Sequence, residues 1–134
     1  MLFRSTKAMR GETLKVNGAS EVLDFTYVED TAMGIVLAAT KEAANSNIFN
    51  ITRSDDHMWT LKEAAELAIS IAGQGKLVCV DRDLSFPQRG RLDITKARLL
   101  LGYTPTVGVE EGFKRYFDWY MQNPTLWIKD DLVH

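Results

Sequence analysis

Arg82, Arg89 and Arg91 fall within ten residues of one another, in a stretch interrupted by Pro87 and Gly90. A guanidinium presents a planar fork of N–H donors that matches a phosphate group by two parallel hydrogen bonds. Irregular loops held by a folded scaffold are where binding residues concentrate. The three arginines therefore fit the binding of a phosphorylated ligand. Asp81, Asp83 and Asp93 stand among them, so the same segment also reads as a solvated basic loop balanced by its own acids. The residues alone leave both readings open.

Other reactive residue types form no self-sufficient catalytic set. His57 and His134 are far apart, and neither H-E-x-x-H nor G-x-S-x-G occurs. His57 reads as a solvated loop residue, and Asp55-Asp56 as polar surface. The single cysteine, Cys79, rules out an internal disulfide and a cysteine zinc site. Asn50-Ile51-Thr52 matches a glycosylation sequon but sits in an expected strand, so chance explains it. No catalytic residue, metal ligand or cofactor-binding residue is assigned.

The elements that must position the arginines follow from periodicity. A chain of 134 residues is expected to be one domain over 1–134. Its net charge of -2 offers no basis for nucleic acid or an anionic membrane as partner. No apolar run approaches the roughly 18 residues of a membrane span. A cytoplasmic setting is the default expectation. Residues 1–11 carry Arg4, Lys7 and Arg10 with no acid before Glu12. That composition is compatible with a transit peptide, but the reading adopted is an amphipathic helix closed by Gly11.

Thr13 to Asn17 is expected as a strand, with Gly18 as its turn. Leu23 to Val28 alternates aromatic and polar residues and is expected as a strand running into a helix capped by Asp30. That helix should reach Ala44 and break at Asn45-Ser46-Asn47. Ile48 to Thr52 is expected as a strand covered on both faces. Thr60-Leu61-Lys62-Glu63 is a capping box, and Gly73 closes the helix it opens. Leu77 to Val80 is expected as a strand and 81–91 as an irregular loop. Asp93 should cap a short helix ending at Gly102. The last helix runs from Val109 to Met121, with Val109, Phe113, Tyr116, Phe117 and Tyr120 as one apolar stripe. For Trp127 and Ile128 the sequence decides neither docking nor freedom. Helices and strands in this order make a mixed α/β fold.

Two segments carry a family resemblance. Asp24-Phe25-Thr26-Tyr27-Val28-Glu29-Asp30-Thr31-Ala32-Met33-Gly34 resembles the "R-D-F-x-Y-V-x-D-x-A-x-G" stretch of the extended short-chain dehydrogenase/reductases, the NAD-dependent nucleotide-sugar epimerases and dehydratases. The run from Phe86 to Pro105, holding Arg91-Leu92-Asp93-Ile94-Thr95-Lys96-Ala97 and Leu101-Gly102-Tyr103, is similar to the family's "R-x-D-x-S-K-A-x-x-x-L-G-W/Y-x-P". Val109-Glu110-Glu111-Gly112-Phe113 continues the likeness. The resemblance runs from the first helix to the last, and corresponds only to the C-terminal, substrate-holding part of a full-length member.

What the resemblance implies is a small mixed α/β C-terminal domain of a Rossmann-type enzyme, with the Rossmann core missing. The family's Gly-rich turn has no counterpart: neither G-x-x-G-x-x-G nor G-x-G-x-x-G occurs. Its Tyr-x-x-x-Lys pair, in which lysine lowers the tyrosine pKa, is absent too. Four residues after Tyr27, Tyr103, Tyr116 and Tyr120 stand Thr31, Val107, Tyr120 and Pro124. These parts are expected before Met1. The chain is then a nucleotide-sugar-binding region that does not catalyse alone and holds no cofactor itself, while NAD or NADP serves the parent enzyme.

The resemblance also implies site residues. In many members an arginine upstream of the "D-x-S-K-A" aspartate holds the substrate phosphates. Arg82, eleven residues before Asp93, matches with an offset of one, and Arg89 and then Arg91 compete with it. Lys15 and Asn17 lie on the strand similar to the one that meets the nucleotide base. Leu23 replaces the arginine of "R-D-F", a phosphate contact in many members, and an apolar residue cannot supply that charge. Asp24, Tyr27 and Asp30 are expected to cap and pack. Expected partners are a nucleotide-sugar, the missing N-terminal Rossmann domain and, through a large uncovered apolar patch, a second copy in a homodimer. The alternative is a stand-alone, non-catalytic binding or dimerisation module derived from the same family.

Overall fold

Gly11, at φ +71°, ends the first helix in the left-handed conformation that glycine adopts without strain. In the computed structural model, which describes residues 2–85 and 87–123, this helix is α1 (Leu2–Met9). Phe86, Trp127, Ile128 and His134 lie outside the described residues. The fold is small and mostly helical, with one two-stranded sheet among the described residues. It forms two compact units. One comprises the described residues of 1–21, 60–87 and 110–134, the other 22–59 and 88–109.

In the first unit, β1 (Thr13–Asn17) alternates as expected, with Leu14 and Val16 buried and Thr13, Lys15 and Asn17 exposed. It pairs in parallel with β2 (Lys76–Val80), from Thr13 opposite Lys76 to Asn17 opposite Val80. Parallel strands need a crossover between them, and here α3 (Leu61–Ala72) lies on that connection. Its capping box is formed: Thr60 Oγ1 accepts the Glu63 N–H at 3.1 Å, and Glu63 Oε2 accepts the Thr60 N–H at 2.7 Å. Gly73 closes it at φ +69°. Ala65 and Ala68 join Ala8, Leu14, Val16 and Phe117 in the core. Small alanines allow that close packing. Phe117 belongs to α5 (Val109–Gln122), whose Tyr120 hydroxyl lies 3.0 Å from Thr6 Oγ1 in the interior.

The second unit holds α2 (Val28–Thr40), a short 3-10 turn (Glu42–Ala44) and α4 (Thr95–Leu101). Ile94, Ala97, Leu101 and Tyr103 form its core, with Leu37, Ala38, Phe49 and Ile51 packed against them. Gly34 is required where it stands: a Cβ there would come within 2.3 Å of Ile51 Cγ2. The opposite side of α2 is apolar as well, and Val28, Met33, Ile35 and Val36 are all more than half exposed.

Several expectations need correction here. Residues 23–27 are not a strand, and α2 spans Val28–Thr40 rather than Asp30 to Ala44, because Lys41 is extended (φ -86°, ψ 127°) and Glu42–Ala44 is a separate 3-10 turn. Tyr27 is its N-cap, with no side-chain cap bond. Asp30 does not cap because its carboxylate is taken by a distant loop: it accepts from Thr106 N at 2.9 Å, Thr106 Oγ1 at 3.1 Å and Val107 N at 3.0 Å. Residues 48–52 form no ladder either. Phe49 and Ile51 turn inward as an alternating strand would, but Ile48 is 88% exposed and no strand pairs with the segment among the described residues.

Candidate functional site

Lys15, Asn17 and Arg82 lie in the first unit, Arg89 and Arg91 in the second. In the first unit the geometry centres on the carboxyl ends of β1 and β2. The Gly18 N–H donates to Val80 O at 2.9 Å, extending the pairing one residue past β1. Arg82, two residues beyond β2, then lies against that turn: a Cβ on Gly18 would be 3.3 Å from Arg82 Cβ and 2.7 Å from Glu21 Cγ. Gly18 sits at φ +72°. Glycine thus supplies both the backbone conformation and the space for two long side chains.

Those side chains meet. Arg82 Nε lies 3.0 Å from Glu21 Oε1, close enough for an ion pair though off the straight line of a good hydrogen bond. Glu21 is held by its backbone: its N–H donates to Gly18 O at 3.0 Å, and its carbonyl accepts the Leu61 N–H at 2.7 Å. Ala19 O accepts the Lys62 N–H at 3.2 Å. The loop carbonyls thereby satisfy the first N–H groups of α3, which have no partner inside the helix. In open α/β sheets, ligands bind beyond the carboxyl ends of parallel strands, which is where Asn17 and Arg82 stand. Lys15 is exposed farther back on β1, opposite Val78.

In the second unit, Arg91 donates to Asp56 in an exposed ion pair. Arg89 is exposed and has no ion-pair partner among the described residues. The neighbouring polar residues are structural. Asp24 accepts from Ser54 N at 2.9 Å and Leu92 N at 3.3 Å. Arg53 donates from Nε to Asp55 at 2.5 Å and from a terminal nitrogen to Val107 O at 2.8 Å. Asp93 is not the cap expected for α4: the N-cap is Ile94, and Asp93, two residues before Thr95, accepts the Thr95 N–H at 2.8 Å in a local turn that precedes the helix. Its hydrogen bonds with Thr95 hold its carboxyl below the ordinary value of 3.8. Tyr103 is fully buried, and its hydroxyl has no hydrogen-bond partner among the described residues. Burial, then the negative charges of Asp30 and Asp24, push that hydroxyl above its ordinary value of 10.0.

Sequence reasoning missed Glu21, Arg53 and the loop-tying role of Asp24 and Asp30. The one available signal for Glu21 was its place three residues after a glycine turn that ends a strand.

No protein-family model matches the chain. Among curated proteins it is 35% identical over 119 residues to UDP-glucuronic acid decarboxylase 1 of Danio rerio, covering 85% of this chain and 27% of the relative. It is 31% identical over 121 residues to GDP-L-fucose synthase 1 of Arabidopsis thaliana, covering 81% of this chain and 36% of the relative. Among solved structures, the epimerase Mth375 of Methanothermobacter thermautotrophicus superposes with a TM-score of 0.84 at 27% identity, covering 95% of this chain and 38% of the other. The UDP-glucose 4-epimerase of Thermotoga maritima, solved with UDP-glucose, gives 0.80 at 27% identity, covering 90% and 38%. The chain thus spans about a quarter to two fifths of the relatives it matches.

Proposed function

We propose, from the homology of this small α/β domain to the NAD-dependent nucleotide-sugar epimerase/dehydratase family, that residues 1–134 are the C-terminal, substrate-binding region of such an enzyme. The region grips the nucleotide and shapes the sugar pocket. A dinucleotide-binding Rossmann region elsewhere in the parent protein supplies NAD or NADP and the catalytic tyrosine and lysine. The region alone is not catalytic, and the setting is cytoplasmic.

The observation that carries this reading is the position of Arg82 beyond the carboxyl end of β2, beside the Gly18 turn that follows Asn17. Arg82 is the leading phosphate ligand. Arg89 is the second candidate because its charge is not spent on an ion pair among the described residues, and Arg91, held by Asp56, is the third. Lys15 and Asn17 are candidates for the nucleotide base.

Titration calorimetry of this polypeptide against UDP-, GDP- and dTDP-sugars tests the assignment. Micromolar affinity for one of them, lost in Arg82→Ala or Arg89→Ala, supports it. No affinity for any of them defeats it. The mass of the native species, by immunoblot and intact mass spectrometry, tests the parentage: a species about the length of the relatives supports a piece of an enzyme.

The apolar outer side of α2 favours a second reading, a stand-alone binding or dimerisation module. A native species of 134 residues forming a tight dimer without nucleotide-sugar affinity would select it.

A further inference from the structure

We infer that Glu21 is a positioning residue for Arg82, setting the guanidinium for a ligand that carries a diphosphate. The inference rests on the proposed role of Arg82 in phosphate binding and adds the residue that aims it. An arginine side chain has four rotatable bonds, and ordering it on binding costs affinity. A carboxylate 3.0 Å from Nε restrains the guanidinium by ion pairing before the ligand arrives. The Glu21 carboxylate is itself on a fixed base, because the 18–21 loop is bonded to the end of β2 and to the first turn of α3. Both side chains are about three-quarters buried, at 26% exposure for Arg82 and 20% for Glu21. A partly buried ion pair contributes little to stability, because desolvation offsets attraction. Its position beyond the strand ends, with Gly18 cleared for it, fits a binding role instead. The pair is close to neutral as a unit. A singly charged carboxylate ligand therefore gains little there, whereas a diphosphate, with more charge and several acceptor oxygens, still engages the fork.

The test is titration of UDP-glucose, GDP-mannose and dTDP-glucose into the 134-residue polypeptide and its Glu21→Gln, Glu21→Ala, Arg82→Ala and double Glu21→Ala/Arg82→Ala variants. Glu21→Gln keeps an oxygen acceptor and loses the charge. The expected result is affinity within about threefold of the parent for Glu21→Gln, about tenfold weaker for Glu21→Ala, and no weaker in the double variant than in Arg82→Ala. The Arg82 Nε–H, buried beside Glu21, should exchange slowly in the parent and rapidly in Glu21→Ala. A purely structural role would not produce that pattern. Unchanged or tighter binding by Glu21→Ala would overturn the inference, because Glu21 would then only compete with the ligand. An additive double variant would overturn it too. Binding that survives Arg82→Ala would remove the Arg82 assignment on which it depends, and absence of binding by the parent would remove the proposed function as well.

Discussion

Asp30 and Val107 are joined across 77 positions of sequence: Asp30 Oδ2 accepts the Val107 N–H at 3.0 Å, with both residues buried. The same carboxylate also takes the Thr106 N–H and hydroxyl, so one side chain on α2 holds the segment that follows Tyr103. Hydrogen bonds to a charged group contribute about 1.5–3 kcal/mol, and loss of the acceptor leaves buried donors unpaired. Asp30→Ala should therefore cost the second unit about 2–4 kcal/mol. Hydrogen exchange at the Thr106 and Val107 amides reads this directly: both should be protected in the parent and fast in the variant. Protection that survives the substitution would rule the clamp out.

Gly18 and Gly73 separate two costs of replacing glycine. Both lie at φ near +70°, but nothing lies within 4 Å of a Cβ at Gly73, whereas Glu21 Cγ would be 2.7 Å from one at Gly18. Gly73→Ala should cost about 1 kcal/mol from backbone strain alone. Gly18→Ala should cost at least about 1 kcal/mol more and displace the Glu21–Arg82 pair. Urea midpoints of the two variants, followed by far-UV circular dichroism, make the comparison. Equal losses would show that Glu21 moves aside freely.

Tyr103 gives a prediction of the opposite sign. Its buried hydroxyl has no protein partner among the described residues, so Tyr103→Phe removes a polar group without breaking a bond between side chains. The variant should be as stable as the parent or up to about 1 kcal/mol more stable. Because the folded-state pKa of Tyr103 is raised, the neutral form favours folding below pH 10, and that contribution is lost as pH rises above 10. The alkaline arm of the melting-temperature profile should accordingly be flatter in Tyr103→Phe. A loss of more than about 1 kcal/mol would mean the hydroxyl is bonded after all.

Asp93 contributes to the acid arm. Its carboxyl is held below 3.8 by Thr95, so its contribution is present above that value and disappears as pH falls through the lower folded value. In Asp93→Asn, stability between pH 5 and 2 should depend less on pH than in the parent. An identical profile would assign the acid sensitivity elsewhere.

The outer side of α2 should drive self-association. A helix apolar on all sides is ordinarily covered on all sides, yet Met33, Ile35 and Val36 are exposed here. Light scattering should show mass rising with concentration, and Met33→Lys or Val36→Glu should suppress the rise while leaving the melting temperature unchanged. A monodisperse monomer at high concentration would argue against the prediction.

How much of this was legible in the sequence depended on the range of the interaction. β1, the Thr60–Glu63 capping box and the glycines at 11, 18, 73 and 102 were readable because each is decided within a few neighbouring residues. The α5 stripe was readable because Phe117 and Tyr120 follow helical spacing into the core. Residues 48–52 have strand composition, but a strand exists only with a partner, and composition cannot show whether one pairs. Asp30 looked like a cap because its competing donors at Thr106 and Val107 are remote in sequence. The arginine cluster was visible as a cluster, but the distribution of Arg82 to one unit and Arg89 and Arg91 to the other was not. Glu21 was hidden because its role depends on two segments meeting at the end of a parallel strand pair.

The parallel pairing of β1 with β2 has a kinetic consequence. Residues 13–17 cannot find their register until residues 76–80 have been synthesised, and the whole of 22–59, which belongs to the other unit, intervenes. Closing that long loop must precede any reward from the ladder, which slows folding. During translation α1 and β1 must wait with their apolar residues uncovered, so Leu14 and Val16 are points of exposure to chaperones and to aggregation.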